Sequence, residues 1–251
     1  DVFENKGKRS GAYSTGAYGE KPFMLLNYHG LLDDVFTVAH ELGHSMHTNL
    51  SHKNQPYRYA DYPIFLAEIA STTNEALLHH YLMETQEDPR LRAYLLNHLC
   101  DSFRGTLFRQ TMFAEFEWEI HQRLERGEAL TADAMKEYYY KLNQRYHGPG
   151  MKADDRIAWE WSRIPHFYLN FYVYKYATGF AAAQIFAQQV LTGPEGRDKY
   201  LGFLKSGISK DPLDTVREAG VDLTDPAVLH RAFETFRQAI QQLDDLLKEF
   251  K

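Results

Sequence analysis

The sequence has a single cysteine, Cys100, in 251 residues. A lone cysteine forms no disulfide within its own chain, so the fold does not depend on an oxidising compartment. We therefore expect a cytoplasmic protein in which Cys100 is a core residue. The chain begins at Asp1, without a methionine or a signal-like apolar region, which indicates a fragment or a processed part of a longer chain.

Long apolar runs and basic runs are also missing. No apolar stretch has the roughly 20 residues that span a bilayer. Lysine and arginine are scattered, and the formal net charge is −6, whereas nucleic-acid-binding domains usually carry a basic face. We expect neither a membrane nor a nucleic acid as a partner. The 44% of hydrophobic residues is typical of a globular protein with a substantial core.

The first thirty residues differ in pattern from the rest. The stretch 10–19 is rich in glycine and small residues, and 22–28 is a short apolar run bounded by turn residues. This pattern predicts a β-hairpin or two short strands. From Leu32 onward the apolar residues recur at helical spacing. The predicted fold class is mainly α, one domain over 1–251 with a small β element at 1–30 and a helical body at 31–251.

Capping residues and helix breakers predict where the helices begin and end. Asp33 or Asp34 is expected to cap the first helix, Asp61 the second and Thr131 the fourth. Pro165 is expected to open an aromatic-rich helix. The predicted helices have these approximate bounds: from the cap at 33 or 34 to 50, 63–84, 89–126, 131–146, 165–191 and three more, of which the last is 225–250.

One short motif carries chemistry. His40-Glu41-Leu42-Gly43-His44 matches H-E-x-x-H. On a helix, residues four apart share a face, so both imidazoles can bind one metal ion. In this motif the glutamate acts as general base on a zinc-activated water. Gly43 weakens the helix, which indicates that a strand or a ligand approaches closely there. We predict one zinc ion per chain.

Two histidines require a third protein ligand. The longer motif H-E-x-x-H-x-x-G-x-x-H fails here, because positions 47 and 50 are histidine and leucine. A second helix offers Glu68 and Glu75, seven residues apart on one face. From the residues alone, one of them would bind the metal while the other orients a liganding histidine.

Four segments carry a resemblance to a known family: 40–47, 65–75, 164–168 and 171–179. Through these segments the chain closely resembles the thimet-oligopeptidase-like family of zinc peptidases, and particularly its oligoendopeptidase F branch. The resemblance implies a mostly helical body split by a deep channel, which admits short unstructured peptides to zinc on its floor. It implies that Glu68 is the third zinc ligand and that Glu75 lies behind a ligand. The family's large upstream helical region is absent, so we expect this chain to pack against such a region.

The segment 166–176 is unusually aromatic. Tyr168, Tyr172 and Tyr176 recur at spacing four, which predicts that they line one helix face. The resemblance places a histidine and tyrosines of this region over the zinc, where they donate hydrogen bonds to the oxyanion. His166 is the first choice for this role, followed by Tyr172 and Tyr176.

The expected function is that of a zinc metalloendopeptidase acting on oligopeptides, with Glu41 as general base. One alternative is a zinc carboxypeptidase or dipeptidyl carboxypeptidase on the same scaffold, which would need a basic group to grip the terminal carboxylate. Another is an idle scaffold domain that retains a metal. The presence of Glu41 argues against the idle domain, because a structural metal site needs no general base.

Overall fold

The computed structural model describes residues 1–250. Near its start, strands β1 (Tyr13–Thr15) and β2 (Phe23–Leu25) form an antiparallel two-stranded sheet in which Tyr13 lies opposite Leu25. This sheet confirms the predicted hairpin. The hydroxyls of Ser14 and Ser45, 2.8 Å apart, join β1 to the first helix.

Helices make up most of the rest, which confirms the mainly α fold class. Ten α-helices lie within residues 1–250: α1 (Leu32–Asn54), α2 (Tyr57–Ala60), α3 (Ile64–Thr85), α4 (Pro89–Ser102), α5 (Arg109–Glu125), α6 (Ala132–His147), α7 (Tyr174–Thr192), α8 (Pro194–Lys205), α9 (Pro212–Glu218) and α10 (Pro226–Glu249). None of the helices in this range is both long and apolar enough to cross a membrane.

The structure confirms one predicted helix cap and corrects another. Thr131 caps α6 as predicted, because its hydroxyl accepts the N–H of Ala134 at 3.2 Å. The prediction for α1 was wrong by two to three residues, since the N-cap is Leu31. Asp34 lies inside the first turn, where its Oδ2 accepts the backbone N–H groups of Leu31 and His29, each at 2.9 Å. An acidic side chain satisfies unpaired N–H groups from either position.

The aromatic segment departs from prediction. The expected helix over 165–191 is instead a 3₁₀ segment (Pro165–Leu169), a break, and then α7. Asn170 and Phe171 have φ of 46° and 53°, a left-handed conformation that non-glycine residues adopt only when neighbours hold it. The carboxylate of buried Glu117 accepts the N–H of Phe171 at 2.7 Å. Because of the break, Tyr168 does not continue a helix face and is 87% exposed.

The chain packs as two compact units, each with its own core. The first comprises residues 1–100 together with those from Gly179 onward, and the second comprises 101–178. One catalytic domain over 1–251 stays a prediction. The first core includes Leu66, Ile69, Ala182, Ile185, Phe186, Phe203 and Leu204, and the second includes Met112, Phe113, Phe116, Tyr139 and Leu142.

Candidate active site

The close contact between α1 and α3 sets the geometry of the site. A Cβ on Gly43 would lie 2.6 Å from Cα of Ser71 and 2.8 Å from the carbonyl oxygen of Ala70. Real Cβ atoms are essentially never that close to other heavy atoms. Glycine at this position therefore lets two helix backbones touch beside the motif. The close approach was predicted, but its partner is helix α3 and not a strand or a ligand.

Polar contacts fix the two helices in register. The amide Nδ2 of Asn74 on α3 donates to the carbonyl oxygen of Ala39 on α1 at 3.0 Å. Between the helices, the hydroxyl of Tyr62 lies 2.7 Å from that of Thr48 and donates to the carbonyl of His44 at 3.4 Å. Sliding one helix along the other would break these hydrogen bonds between partly buried groups, so the contacts hold the helices in register.

The structure brings His40, His44 and Glu68 together. One ligand atom from each lies within 4.8 Å of the others, and all three residues are half-buried. Nε2 of His40 is 3.5 Å from Oε2 of Glu68, and the two imidazole rings are nearly perpendicular, with centroids 4.8 Å apart. Ligands at zinc–nitrogen distances of about 2.0–2.1 Å in a tetrahedron are about 3.3 Å apart. The cluster therefore has the donor types of a zinc site, and the 3.5 Å between Nε2 of His40 and Oε2 of Glu68 is close to the required spacing.

Glu75 holds the ring of His40 from the side away from Glu68. Its Oε1 lies 2.6 Å from Nδ1 of His40. An ionised carboxylate only accepts hydrogen bonds, so Nδ1 donates to Oε1 of Glu75. In the neutral ring the lone pair is then on Nε2, the nitrogen that lies near Glu68. Burial lowers the pKa of His40, but the hydrogen bond and charge of Glu75, with the charges of Glu68 and Glu41, outweigh burial and raise it.

Burial dominates the protonation of the other cluster residues. It lowers the pKa of His44 to about 4, with help from the charge of His40, so the imidazole is neutral and free to bind a metal. It raises the pKa of Glu68, and the charge of His40 only partly opposes this. Carboxylates crowded at low dielectric are stabilised by a nearby cation. These properties fit a divalent metal ion at the cluster.

Glu41 is buried beside the cluster at 5% exposure. Its Oε2 has no hydrogen-bond partner within residues 1–250. Burial raises its pKa, the charges of Glu68 and Glu75 add to the rise, and His40 opposes it. A buried carboxylate oxygen without a partner is costly unless it serves a ligand or a reaction.

The three predicted oxyanion donors meet one another in the second unit. The ring of His166 stacks on that of Tyr172 with centroids 5.4 Å apart, and the Tyr176 ring lies edge-on to both. The hydroxyl of Tyr176 donates to that of Tyr172 at 3.4 Å. The three rings make these contacts although the segment is not one continuous helix. The oxyanion role of these residues stays a prediction.

A cavity of about 530 Å³ opens beside the cluster within the first unit. His40, Glu41 and Glu75 form one part of its lining, while Asp33 lies farther along α1. Sequence reasoning treated Asp33 only as a helix cap. The available signal was helical spacing, since Asp33 lies two turns before His40 on the same face. The remaining lining residues are Glu4, Ser10, Gly11, Ala12, Asn27, His29, Asp34, Phe36, Thr37 and His98.

Comparison with known proteins identifies the family of this chain. The model of peptidase family M3 matches residues 1–235. Oligopeptidase PepF of Bacillus subtilis is 51% identical over the whole chain, and an oligoendopeptidase F homolog of Lactococcus lactis is 52% identical over 99% of it. The chain therefore belongs to peptidase family M3. It covers 38% and 42% of the length of those two relatives.

Solved structures show the same fold. A putative peptidase from Chlamydophila abortus superposes with a TM-score of 0.89 at 44% identity, over 98% of this chain and 42% of its own. An oligoendopeptidase F from Enterococcus faecium superposes with a TM-score of 0.78 at 47% identity, over 87% of this chain and 40% of its own.

Proposed function

We propose that this chain carries the active site of a zinc-dependent endopeptidase that hydrolyses short, unstructured oligopeptides. The cluster of His40, His44 and Glu68 carries the proposal, because it supplies two imidazoles and a carboxylate whose donor atoms lie within 4.8 Å of one another, and these are ligand types that zinc prefers. Zinc bound there supplies Lewis acidity, which lowers the pKa of water and polarises the scissile carbonyl. One zinc ion per chain is expected.

Glu41 acts as the general base in this proposal. Its unpartnered Oε2 accepts the proton of the attacking water and later delivers it to the leaving amine. The raised pKa of Glu41 suits both tasks, because a base works best when its pKa approaches the working pH. Burial at 5% exposure also excludes bulk water that would compete for the carboxylate.

Glu75 has a positioning role. Its hydrogen bond fixes the tautomer of His40, so that Nε2 is the ligand atom. Its charge also raises the basicity of that imidazole. Carboxylates behind a liganding histidine typically contribute about 10–100-fold to metal affinity or activity.

His166, Tyr172 and Tyr176 are proposed as oxyanion donors. Their support is the family resemblance together with the mutual ring contacts that hold them as one group. A single preorganised donor to an oxyanion is typically worth about 10²–10³ in rate.

The endopeptidase is favoured over the carboxypeptidase. Among residues 1–250, no lysine or arginine lines the cavity beside the cluster, so that cavity offers no cation to hold a terminal carboxylate. The relatives compared above are named oligopeptidase and oligoendopeptidase, and we carry that class of activity over to this chain as part of the proposal. The cytoplasmic location likewise stays a prediction.

The experiment is a cleavage assay on a mixed peptide pool, analysed by mass spectrometry. Zinc-loaded protein is compared with protein treated with a chelator and with chelated protein to which zinc is restored. We expect internal cleavage that disappears with chelator and returns with zinc. Products that lack only one or two carboxyl-terminal residues would support the carboxypeptidase. Cleavage unaffected by the chelator would refute the metal mechanism.

A further inference from the structure

We propose that the cavity beside the metal cluster binds the cationic side chain of an arginine or lysine in the peptide substrate, close to the scissile bond. The proposal rests on the proposed function and adds the substrate class that the site prefers. Asp33 is the residue that determines this preference.

The lining of the cavity is acidic. It contains five carboxylates and three histidines, and within residues 1–250 it contains neither lysine nor arginine. The lining would remain negative even if every histidine carried a proton. A pocket with one sign of charge concentrates ligands of the opposite sign. The carboxylates are Glu4, Asp33, Asp34, Glu41 and Glu75.

These carboxylates differ in the groups that they already contact. Glu41 and Glu75 belong to the catalytic proposal, and the Oδ2 of Asp34 accepts two backbone N–H groups. Glu4 pairs closely with His29, at 3.1 Å. Asp33 has a looser contact, 3.6 Å from Nε2 of His98, and its side chain is 69% exposed. Asp33 is therefore the lining carboxylate best able to accept a substrate cation.

The distance from the cluster selects long side chains. Asp33 and His40 lie seven residues apart on α1, or about 10 Å along the helix axis. Thr37 lies between them and also lines the cavity. A substrate residue at the metal thus reaches Asp33 only with an extended side chain. Arginine and lysine combine such length with a positive charge.

A second observation links the same cavity to the reacting centre. Glu41 is 95% buried and lines the cavity, and its Oε2 lacks a partner among the described residues. One wall of the cavity therefore belongs to the reacting centre. The volume of about 530 Å³ lies in the range of pockets that hold small ligands. It has room for a long side chain and the backbone next to it.

The test compares fluorogenic peptides blocked at both ends, with arginine or its neutral isostere citrulline on either side of the cleaved bond. Zinc-loaded full chain should show kcat/KM about tenfold higher for arginine at one of these positions. The ratio should fall with added salt, since screening weakens exposed charge pairs. A citrulline peptide with a free amino terminus tests whether a terminal amine gives the same gain. If it gains as much as the arginine peptide, the assignment to a side chain is wrong.

The Asp33→Asn variant tests whether Asp33 causes the preference for arginine. The arginine-to-citrulline ratio should drop at least threefold in this variant. Asp198→Asn is the matched control, because that side chain is 70% exposed and lies 3.7 Å from Arg197, close to the values for Asp33. The control should keep the wild-type ratio. An equal ratio in wild type and Asp33→Asn, or no preference for arginine in wild type, would overturn the proposal.

Failure here is separable from failure of the proposed function. Cleavage of both peptides at equal rates rejects the cavity's preference while leaving the peptidase intact. If neither peptide is cleaved, the proposed function fails, and dissociation constants of the same two peptides for the zinc-loaded chain decide about the cavity. Binding of the arginine peptide that is at least threefold tighter, and that is lost in Asp33→Asn, supports it. Equal binding rejects it.

Discussion

Replacing Gly43 with alanine tests the helix contact on which the metal cluster depends. The new Cβ would start 2.6 Å from Cα of Ser71, whereas real Cβ contacts begin at about 3.0 Å. Helix α3 would therefore have to recede by at least 0.4 Å at this point. Glu68 lies on α3 less than one turn from Ser71, so its carboxylate would move with the backbone.

The expected magnitude follows from this displacement. Overpacking of a tight contact typically costs about 1–3 kcal/mol, while the better helix propensity of alanine returns up to about 1 kcal/mol. For a chain of this size, each kcal/mol lowers Tm by about 2–4 °C. Zinc–ligand distances tolerate only about 0.2 Å of error, so a shift of this size should also weaken zinc binding. We expect a loss of about 10-fold or more in zinc affinity.

The assay measures zinc affinity by titration and Tm by calorimetry in three proteins. Gly202→Ala is the control, because an ideal Cβ on that helical glycine would meet no heavy atom of the described residues within 4 Å, apart from its chain neighbours and the backbone of its own helix. It should leave zinc affinity unchanged and raise Tm slightly. If Gly43→Ala behaves like Gly202→Ala, the contact between α1 and α3 does not position the cluster.

Three further predictions concern the site and its surroundings. Glu41→Gln should keep zinc but lower turnover by at least about 10²-fold, whereas His44→Ala should lose the metal. If the Glu41→Gln site were empty and the His44→Ala site filled, the assignment of Glu41 as base and His44 as ligand would be wrong. Glu68→Gln should weaken zinc binding more than Glu75→Gln, which should lower metal affinity or activity by about 10–100-fold. A larger loss of zinc affinity in Glu75→Gln, measured by metal titration, would show that the two glutamates were assigned the wrong way round. Adding the upstream helical region of the family, in trans or as a fusion, should raise the rate on one fluorogenic peptide, because a second wall of the channel orients substrate and excludes water; equal rates would contradict the expected packing.

The mainly α fold was readable because local signals set most of its elements. Apolar periodicity marks the helices, and Thr131 caps α6 through a contact three residues away. The short strands follow from apolar residues between turns. The helix signals lie within a few residues of one another, and the two strands pair across the short segment between them, so the local sequence contains these signals.

The break at Asn170 and Phe171 could not be predicted from the sequence, because the interaction that decides it is distant along the chain. Glu117, which holds the N–H of Phe171, lies 54 residues earlier in the chain. The local sequence gives only part of the signal for this left-handed pair, because asparagine adopts positive φ more readily than most residues but phenylalanine does not. A tertiary hydrogen bond overrides the local helical pattern.

The site itself was readable in part. The motif placed His40 and His44 on one helix face with Glu41 next to His40, and the spacing of Glu68 and Glu75 placed both carboxylates on one face of a second helix. Which carboxylate faces which atom required the packing of α1 against α3. The sequence pointed to a close approach at Gly43 but left its partner open, since only the fold shows that Ser71 lies there.

The central claim is that His40, His44 and Glu68 together bind one catalytic zinc ion. Anomalous diffraction from crystals of the zinc-loaded chain, recorded on both sides of the zinc absorption edge, tests it directly. We predict one peak about 2.0–2.2 Å from Nε2 of His40, a ring nitrogen of His44 and a carboxylate oxygen of Glu68. A peak bound by Glu75 in place of Glu68, or a zinc ion located away from His40 and His44, would contradict the account.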